Sequence, residues 1–365
     1  MAKDPVCGME IDDSQARQRI LYMGEKYYFC SKDCKVKFES NPEKYSNVPE
    51  DDVSETRKVV VMGAGQVGAT ICFALMMSGL ASTIVLIDQN SDLAEGHAMD
   101  LNHGLSFAQP ARIFAGNYSD CKGADIVVVT AGASQKPGET RLDLVRKNTE
   151  IFKDIIPKIT AHEPKTLLIV SNPVDVLTYV ALKVSHFSMN RVIGSGTTLD
   201  TARFRFLLSR NYRVDPHNVH AYIIGEHGDS EVPVWSQANI AGVPLEEYLP
   251  AFEKKDLAEE RDKIFGKVKN AAYEIINRKG YTNFAIALAV ERISGSILRD
   301  ENSVLTVSSL INNYYDISDV CLSIPTILNI NGISKHIDIN LDEGESRKLR
   351  ASAENLKKII GGLDI

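Results

Sequence analysis

Short apolar runs of strand length punctuate the chain from residue 58 onward, each followed by a break and then a segment of helix length. Val59-Val60-Val61-Met62 is the first, and Gly63-Ala64-Gly65-Gln66-Val67-Gly68 follows at once. Ala69 to Met77 is apolar and helix-favouring, and it stops near Gly79. Ser82 to Ile87 reads as a second buried strand ending in Asp88, and Asp92 to His103 is helix-like. Asp125 to Thr130 and Thr166 to Val170 are further strands, with a helix from Leu142 between them. Strands apolar on both faces that alternate with helices predict an α/β fold with a doubly wound parallel sheet. Beyond Ser303 the pattern changes. Val304 to Ser308 and Cys321 to Pro325 read as antiparallel strands around a Tyr-rich turn, and Glu345 to Ile360 as an amphipathic closing helix. This part of the chain reads as core rather than chemistry.

The first strand, turn and helix carry a specific chemical expectation. Gly63 allows a tight turn, Gly65 lets backbone N–H groups approach a pyrophosphate, and Gly68 lets helix and strand pack closely. Asp88, twenty positions past Gly68, stands where an acid would accept ribose hydroxyls. Its charge would repel a 2′-phosphate, which favours NAD over NADP. A lone GxGxxG also marks ordinary turns. Here strand, turn, helix, strand and acid occur in order, so a Rossmann dinucleotide-binding domain is expected over residues 57–196, with a mixed α+β domain over 197–365.

With 365 residues, 44% hydrophobic and 24% charged, the chain has the composition of a globular protein with more than one domain. A net charge of -7 with dispersed basic residues argues against a nucleic-acid partner. The first thirty residues have no apolar core of the signal-peptide kind, and the most hydrophobic stretch, Thr70 to Ala81, is too short to span a bilayer. A cytoplasmic enzyme without membrane partners is expected. Of the six cysteines, Cys72, Cys121 and Cys321 are scattered and read as reduced core thiols.

The other three lie in a front segment, 1–47, of different character. Asp4-Pro5-Val6-Cys7-Gly8-Met9 is turn-rich, and Tyr27-Tyr28-Phe29-Cys30-Ser31-Lys32-Asp33-Cys34 is an aromatic strand running into a short helix. Cys30 and Cys34, four apart, can face one point, and Cys7 could add a third soft ligand for a thiophilic metal. The alternative is a small appended domain whose cysteines are partly buried hydrophobes. Residues 48–56, with Pro49, Glu50, Asp51, Asp52 and Glu55, read as an acidic linker. The segment 3–45 resembles a YHS module, through Asp-Pro-Val-Cys-Gly-Met, Tyr-Tyr-Phe-Cys-Ser, the second cysteine, Phe38 and Asn41-Pro42-Glu43-Lys44-Tyr45. The histidine of the family name is absent here. The resemblance implies a link to metal handling or sensing.

Candidate chemistry gathers where the strands end. Thr130 closes its strand before Ala131-Gly132-Ala133, small residues against which a cofactor could lie. Ser134 to Arg141 is polar, contains Pro and Gly, and reads as a mobile loop able to carry Arg141 over a ligand. Taken alone, Arg141 is an ordinary surface arginine. Val170 and Ser171 lead to Asn172, whose amide could donate to a carbonyl, with Pro173 turning the chain. In the helix Thr198 to Leu208, Asp200 and Arg203 share a face while Arg205 points elsewhere. An intrahelical ion pair of little energetic value would explain the first two. His227 stands between glycines in Gly225-Glu226-His227-Gly228-Asp229, where a ligand could approach the imidazole.

Five motifs in order make residues 57–365 resemble the lactate/malate dehydrogenase family, and most closely its bacterial L-lactate dehydrogenases. They are Gly-Ala-Gly-Gln-Val-Gly, Gln-Lys-Pro-Gly-Glu-Thr-Arg, Ser-Asn-Pro-Val-Asp, Leu-Asp-Thr-Ala-Arg-Phe-Arg and Gly-Glu-His-Gly-Asp-Ser, and Thr282 in Gly280-Tyr281-Thr282-Asn283 resembles the family's pocket-wall threonine. The resemblance implies catalysis by His227, Asp200 and Arg141, and substrate binding by Gln135, Arg141, Asn172, Arg203 and Thr282. The implied cofactor set is Gly63, Gly65, Gln66, Val67, Gly68, Asp88, Thr130, Gly132, Ala133, Val170 and Asn172. Hydride transfer to a 2-keto acid builds charge on the carbonyl oxygen. His227 would deliver the proton, Arg141 would polarise the carbonyl after loop closure, and Arg203 would hold the carboxylate bidentately. Gln135 is neutral where malate-specific relatives resemble one another in an arginine, so pyruvate is favoured over a dicarboxylate. Malate or broad 2-hydroxyacid activity, or metal sensing through the front module, are the alternatives. Thr282 could equally be a helix cap. Arg205 and His220 match positions resembling a fructose 1,6-bisphosphate site, which implies allosteric activation of a homotetramer; a surface arginine and a core histidine would also fit.

Overall fold

The structure is a computed structural model that describes residues 2–12, 18–22, 25–40, 45, 57–133, 140–248 and 257–365. The acidic linker, Asn41 to Lys44 and Gln135 lie outside the described residues, and so does the side chain of Arg141. The chain divides into two compact units, Met1–Thr56 and Arg57–Ile365.

The first unit pairs β1 (Ala2–Lys3) with β2 (Glu10–Ile11) and β3 (Gln18–Tyr22) with β4 (Glu25–Phe29), both antiparallel, and adds α1 (Lys32–Ser40). Its core is small. Tyr27, Phe29 and Phe38 are buried, with the Phe38 ring 4.9 Å from Tyr27 and 5.1 Å from Phe29 between centroids, spacings that suit aromatic packing.

The second unit opens with β5 (Lys58–Met62), α2 (Gln66–Ser78), β6 (Thr83–Ile87), α3 (Ser91–Gly104), β7 (Arg112–Ala115), β8 (Ile126–Val129), α4 (Arg141–Thr160), β9 (Thr166–Ile169), α5 (Val174–Ser185) and β10 (Val192–Gly194). It continues with α6 (Thr198–Tyr212), β11 (Val219–Ile224), β12 (Val232–Ile240), β13 (Val243–Pro244), α7 (Leu245–Tyr248), α8 (Leu257–Lys279), α9 (Phe284–Leu298), β14 (Ser303–Ile311), β15 (Val320–Asn329), β16 (Gly332–His336) and α10 (Glu343–Ile360).

Strands β7, β6, β5, β8, β9 and β10 lie side by side and parallel, the order 3-2-1-4-5-6 of a doubly wound dinucleotide fold. Alternation within β5 shows why its run is wholly apolar. Val59 and Val61 enter the layer formed with α2, α3 and α9, while Val60 and Met62 enter the layer formed with α4, α5 and α10. Helix α2 begins at Gln66, earlier than the apolar run suggests, so the last three residues of the glycine motif form its first turn.

Beyond β10 the same sheet continues through β14, β15 and β16, each antiparallel to its neighbour. The hydrophobic pattern assigns β14 and β15 to core alone. In the structure they also hold loops of the candidate site, because Ser323 exchanges both backbone hydrogen bonds with Gly225 and accepts from the Thr197 N–H through its hydroxyl. A separate three-stranded sheet, β11-β12-β13, packs Ala221, Ile223 and Ile240 against Phe204 and Leu208 of α6 and Ile264 and Val268 of α8. No helix among the described residues is long and apolar enough to cross a membrane.

Candidate functional site

Backbone geometry at the end of β5 forces the glycines. Gly63 has φ +107°, and a Cβ there would stand 2.7 Å from Thr130 Oγ1 and 2.8 Å from Ala131 N. At Gly68 a Cβ would meet the Gly63 carbonyl oxygen at 1.8 Å. Gly65 is the opposite case. Among the described residues nothing lies within 4 Å of a Cβ placed there and no side chain caps α2, so its leading N–H groups are left without a side-chain partner. Such a helix start is able to cradle the pyrophosphate of a dinucleotide. Asp88 is half-buried and accepts from Ala64 N through Oδ2 (2.7 Å) and from Asn90 N through Oδ1 (2.8 Å). A carboxylate has about four lone-pair sites, so acceptor capacity remains for ribose hydroxyls.

A continuous set of hydrogen bonds joins this cradle to the rest of the edge. Thr130 Oγ1 donates to the Gly63 carbonyl (3.0 Å), and Ser171 Oγ to that of Ala131 (2.6 Å). Asn148, 1% exposed, accepts from Ala133 N (2.8 Å) and donates to the Asn172 carbonyl (2.8 Å), bracing the loops after β8 and β9 against each other. Sequence reasoning missed Asn148. It is a polar residue inside an amphipathic helix, and only its partners, 15 and 24 positions away, reveal the role. Asn172 itself is exposed at the turn before Pro173, and Val170 is buried at the end of its strand.

The titratable centre lies on α6 and the loop before β12. Asp200, 3% exposed in its side chain, accepts from the Arg203 guanidinium through Oδ1 (2.8 Å) and is bonded to His227 Nδ1 through Oδ2 (2.5 Å). The ion pair that spacing alone allows is therefore present, and the same carboxylate also holds the imidazole. No further hydrogen bond of the Arg203 guanidinium is seen among the described residues. Burial works against the charge on His227, but the attraction and hydrogen bond of Asp200 outweigh it and push the pKa up to about 9. Burial raises the Asp200 carboxyl, yet His227 and Arg203 hold it below the ordinary range.

The backbone N–H of His227 donates to Asp175 Oδ2 at 2.7 Å, and Glu226 N donates to Ser352 Oγ at 2.9 Å. The loop is thus tied to α5 and α10. Glu231, 6% exposed, has an unpartnered Oε1; burial first, then the Asp200 charge, pushes its pKa up to about 8. Neither Asp175 nor Glu231 stands out in the sequence as a site residue.

Arg141 is the first residue of α4, whose N-terminus is fixed by a capping box between Thr140 and Asp143. Thr282 is half-buried one residue before Asn283, which occupies the N-cap of α9, so the alternative of a capping threonine does not hold. Arg205 and His220 both line a cavity of about 530 Å³ between α6, β11, α9 and β14. Arg205 is half-buried, with its Nε donating to the Ala221 carbonyl (3.0 Å), whereas His220 is exposed. This is not the arrangement of the alternative, a surface arginine and a core histidine.

In the first unit, Sγ of Cys7 lies 3.5 Å from Sγ of Cys30, which lies 3.7 Å from that of Cys34. Asp4 is 1% exposed beside them, its carboxylate accepting from Cys30 N (2.7 Å), Val6 N (2.8 Å) and Cys7 N (3.4 Å). Burial raises the Asp4 carboxyl, but these N–H donors hold it at about 2. Hydrogen bonding to Asp4 first, and then to Cys7, pushes the Cys30 thiol up to about 12. Cys72, Cys121 and Cys321 are buried and free.

A pyrophosphate cradle and an imidazole poised to exchange a proton share one hydrogen-bonded sheet edge, which is the organisation of a pyridine-nucleotide oxidoreductase. The lactate/malate dehydrogenase family models, described as the NAD binding domain and the alpha/beta C-terminal domain, match residues 57–194 and 197–363, and the chain belongs to that family. It is an NAD-dependent oxidoreductase. A YHS domain model matches residues 2–48. The chain is similar to an L-lactate dehydrogenase of Acetivibrio thermocellus, 56% identical over 310 residues, covering 85% of this chain and 98% of that one. It is also similar to L-lactate dehydrogenase 1 of Clostridium acetobutylicum, 51% identical, covering 85% and 100%. Among solved structures, a minor L-lactate dehydrogenase from Enterococcus mundtii superposes with a TM-score of 0.81 at 40% identity, covering 84% of this chain and 98% of that one.

Proposed function

We propose that the protein is a cytoplasmic L-lactate dehydrogenase that interconverts pyruvate and L-lactate. The observation that carries this reading is Asp200 bonded at once to His227 Nδ1 and Arg203. With Nδ1 engaged, Nε2 is the ring atom free to give a proton to a carbonyl oxygen, and the raised pKa keeps that proton in place at neutral pH. Arg203 lies one helical turn away, with guanidinium N–H groups left to hold a carboxylate. Asn172 stands just before α5, and Arg141 is the first residue of α4. Bound NADH supplies the hydride. The neutral Gln135 favours a methyl over a second carboxylate; a malate or broad 2-hydroxyacid dehydrogenase is the rival within this class. NADH oxidation by the full chain with pyruvate, followed by chiral analysis of the product, tests the reading. L-lactate is expected, and no turnover, or D-lactate, would overturn it.

The same reading extends to regulation and assembly. Arg205 and His220 on one cavity support fructose 1,6-bisphosphate as an activator, its phosphates binding between these two side chains. The effector should raise the rate with pyruvate, and Arg205→Gln should abolish the rise. Phe73, Met77, Phe206, Phe284 and Leu288 are exposed apolar side chains of the enzyme unit that a homotetramer would cover.

A second reading concerns the first unit, where three thiols and Asp4 place their ligand atoms within 4.8 Å of one another. It takes a thiophilic ion at Cys7, Cys30 and Cys34, with Asp4 bracing the backbone around them. Because the Cys30 proton is tightly held, uptake should strengthen as pH rises. Equilibrium binding of Zn²⁺ to the full chain should be lost in Cys30→Ser; unchanged uptake would refute the site. Zinc uptake without any turnover would favour a metal-sensing or metallochaperone role for the whole chain.

A further inference from the structure

We propose that Asp175 is a positioning residue for His227, acting from the backbone side of the histidine with both a hydrogen bond and a negative charge. This rests on the reading of His227 as the proton donor. Asp175 sits in the first turn of α5, three residues after Asn172, and is 2% exposed. Its Oδ2 accepts the His227 backbone N–H at 2.7 Å, so one short helix start fixes the heights of both the carbonyl-facing amide and the imidazole. The Ser308 hydroxyl, also buried, stands beside the carboxylate and, as a hydrogen-bond donor, opposes the effect of burial on it. A buried carboxylate keeps its field little diluted by water, and the cation that draws its pKa down is His227.

The charges around the imidazole come from several elements. Asp200 and Arg203 face it from α6, Asp175 from α5, Glu231 from the start of β12, and Glu226 lies next to it on its own loop. Asp200 fixes the ring through Nδ1, and Asp175 adds negative charge without touching the ring. Burial pushes the Asp175 carboxyl up to about 6, so it is ionised through the neutral and alkaline range. That is the range in which His227 has to be kept protonated for carbonyl reduction. When Asp175 takes up a proton below that range, His227 is already protonated, so Asp175 acts on the alkaline limb alone.

Two substitutions separate the two contributions. Asp175→Asn keeps an oxygen able to accept from the His227 N–H and removes the charge. Asp175→Ala removes both. The measurement is kcat/KM for pyruvate with NADH from pH 5.5 to 10 on the full chain. Asp175→Asn is expected to retain most of the activity on the acid plateau and to move the alkaline limb about one unit towards acid. Asp175→Ala should lower the plateau itself. A limb in Asp175→Asn that coincides with that of the unaltered enzyme would overturn the proposal, as would a full plateau in Asp175→Ala. Should either variant fail to fold, ¹³C spectra of the unaltered enzyme give a second reading. The His227 ring signals should show a small inflection near pH 6 as well as their own titration, and their absence of response there would equally overturn it. An unaltered enzyme with no pyruvate turnover would sink the functional reading instead.

Discussion

The two candidate sites are built by different means. Around His227 long stretches of chain are bridged: Asp200 lies 27 positions away, Asp175 lies 52, and the Ser323 that holds Thr197 lies 126 from it. Asp200 and the backbone of His227 are fixed by buried elements before any ligand arrives. The thiol site is assembled from residues within the first 34, on a core of three aromatic side chains, with Cys7 and Cys30 exposed. Its buried anchor, Asp4, holds the backbone through N–H groups and also hydrogen-bonds the Cys30 thiol. The first site is organised to act on a transient partner with little rearrangement, as electrostatic catalysis requires. The second has its sulfurs 3.5 and 3.7 Å apart, with two of the three cysteines exposed.

The sharpest way to break this comparison is to remove the proton donor. His227→Gln should lower kcat/KM for pyruvate about a hundred- to ten-thousand-fold, with NADH binding measured by fluorescence unchanged. Asn148→Ala unties the loops after β8 and β9 without touching either reacting group. A loss of about ten- to a hundredfold is expected in steady-state kinetics, because small misplacements are costly at the reacting centre. The pH profile is the next test. With the His227 pKa raised to about 9, pyruvate reduction should hold level through neutral pH and fall about tenfold per unit above 9. Lactate oxidation, which needs the neutral imidazole, should rise over the same interval. The smallest effect falls on the other site: Cys30→Ser should change the pyruvate rate of the full chain less than about twofold, measured without added metal. A larger change would mean that the front unit acts on the enzyme.

The dinucleotide half was legible because its signals are local. Wholly apolar strands such as Val59 to Met62, a glycine motif and an acid at the end of the next strand each carry their meaning within a few residues. Thr197, Ser308 and Ser323 carry none, since a buried hydroxyl gains a role only when β14 and β15 fold onto β10. Asp200 shows the same limit: its spacing from Arg203 was readable, whereas its bond to His227 depends on how α6 meets the loop before β12. The two-residue strands of the front unit lie below any periodicity, yet the spacing of Cys30 and Cys34 was sufficient to bring their sulfurs together.

The most direct test of the central claim is the ratio of kcat/KM for pyruvate over oxaloacetate, measured with NADH on the full chain at neutral pH. A protonated His227, a single carboxylate anchor at Arg203 and a neutral Gln135 predict a ratio far above one. A ratio at or below one would contradict the account, and would place the chain with the dicarboxylate-reducing members of its family.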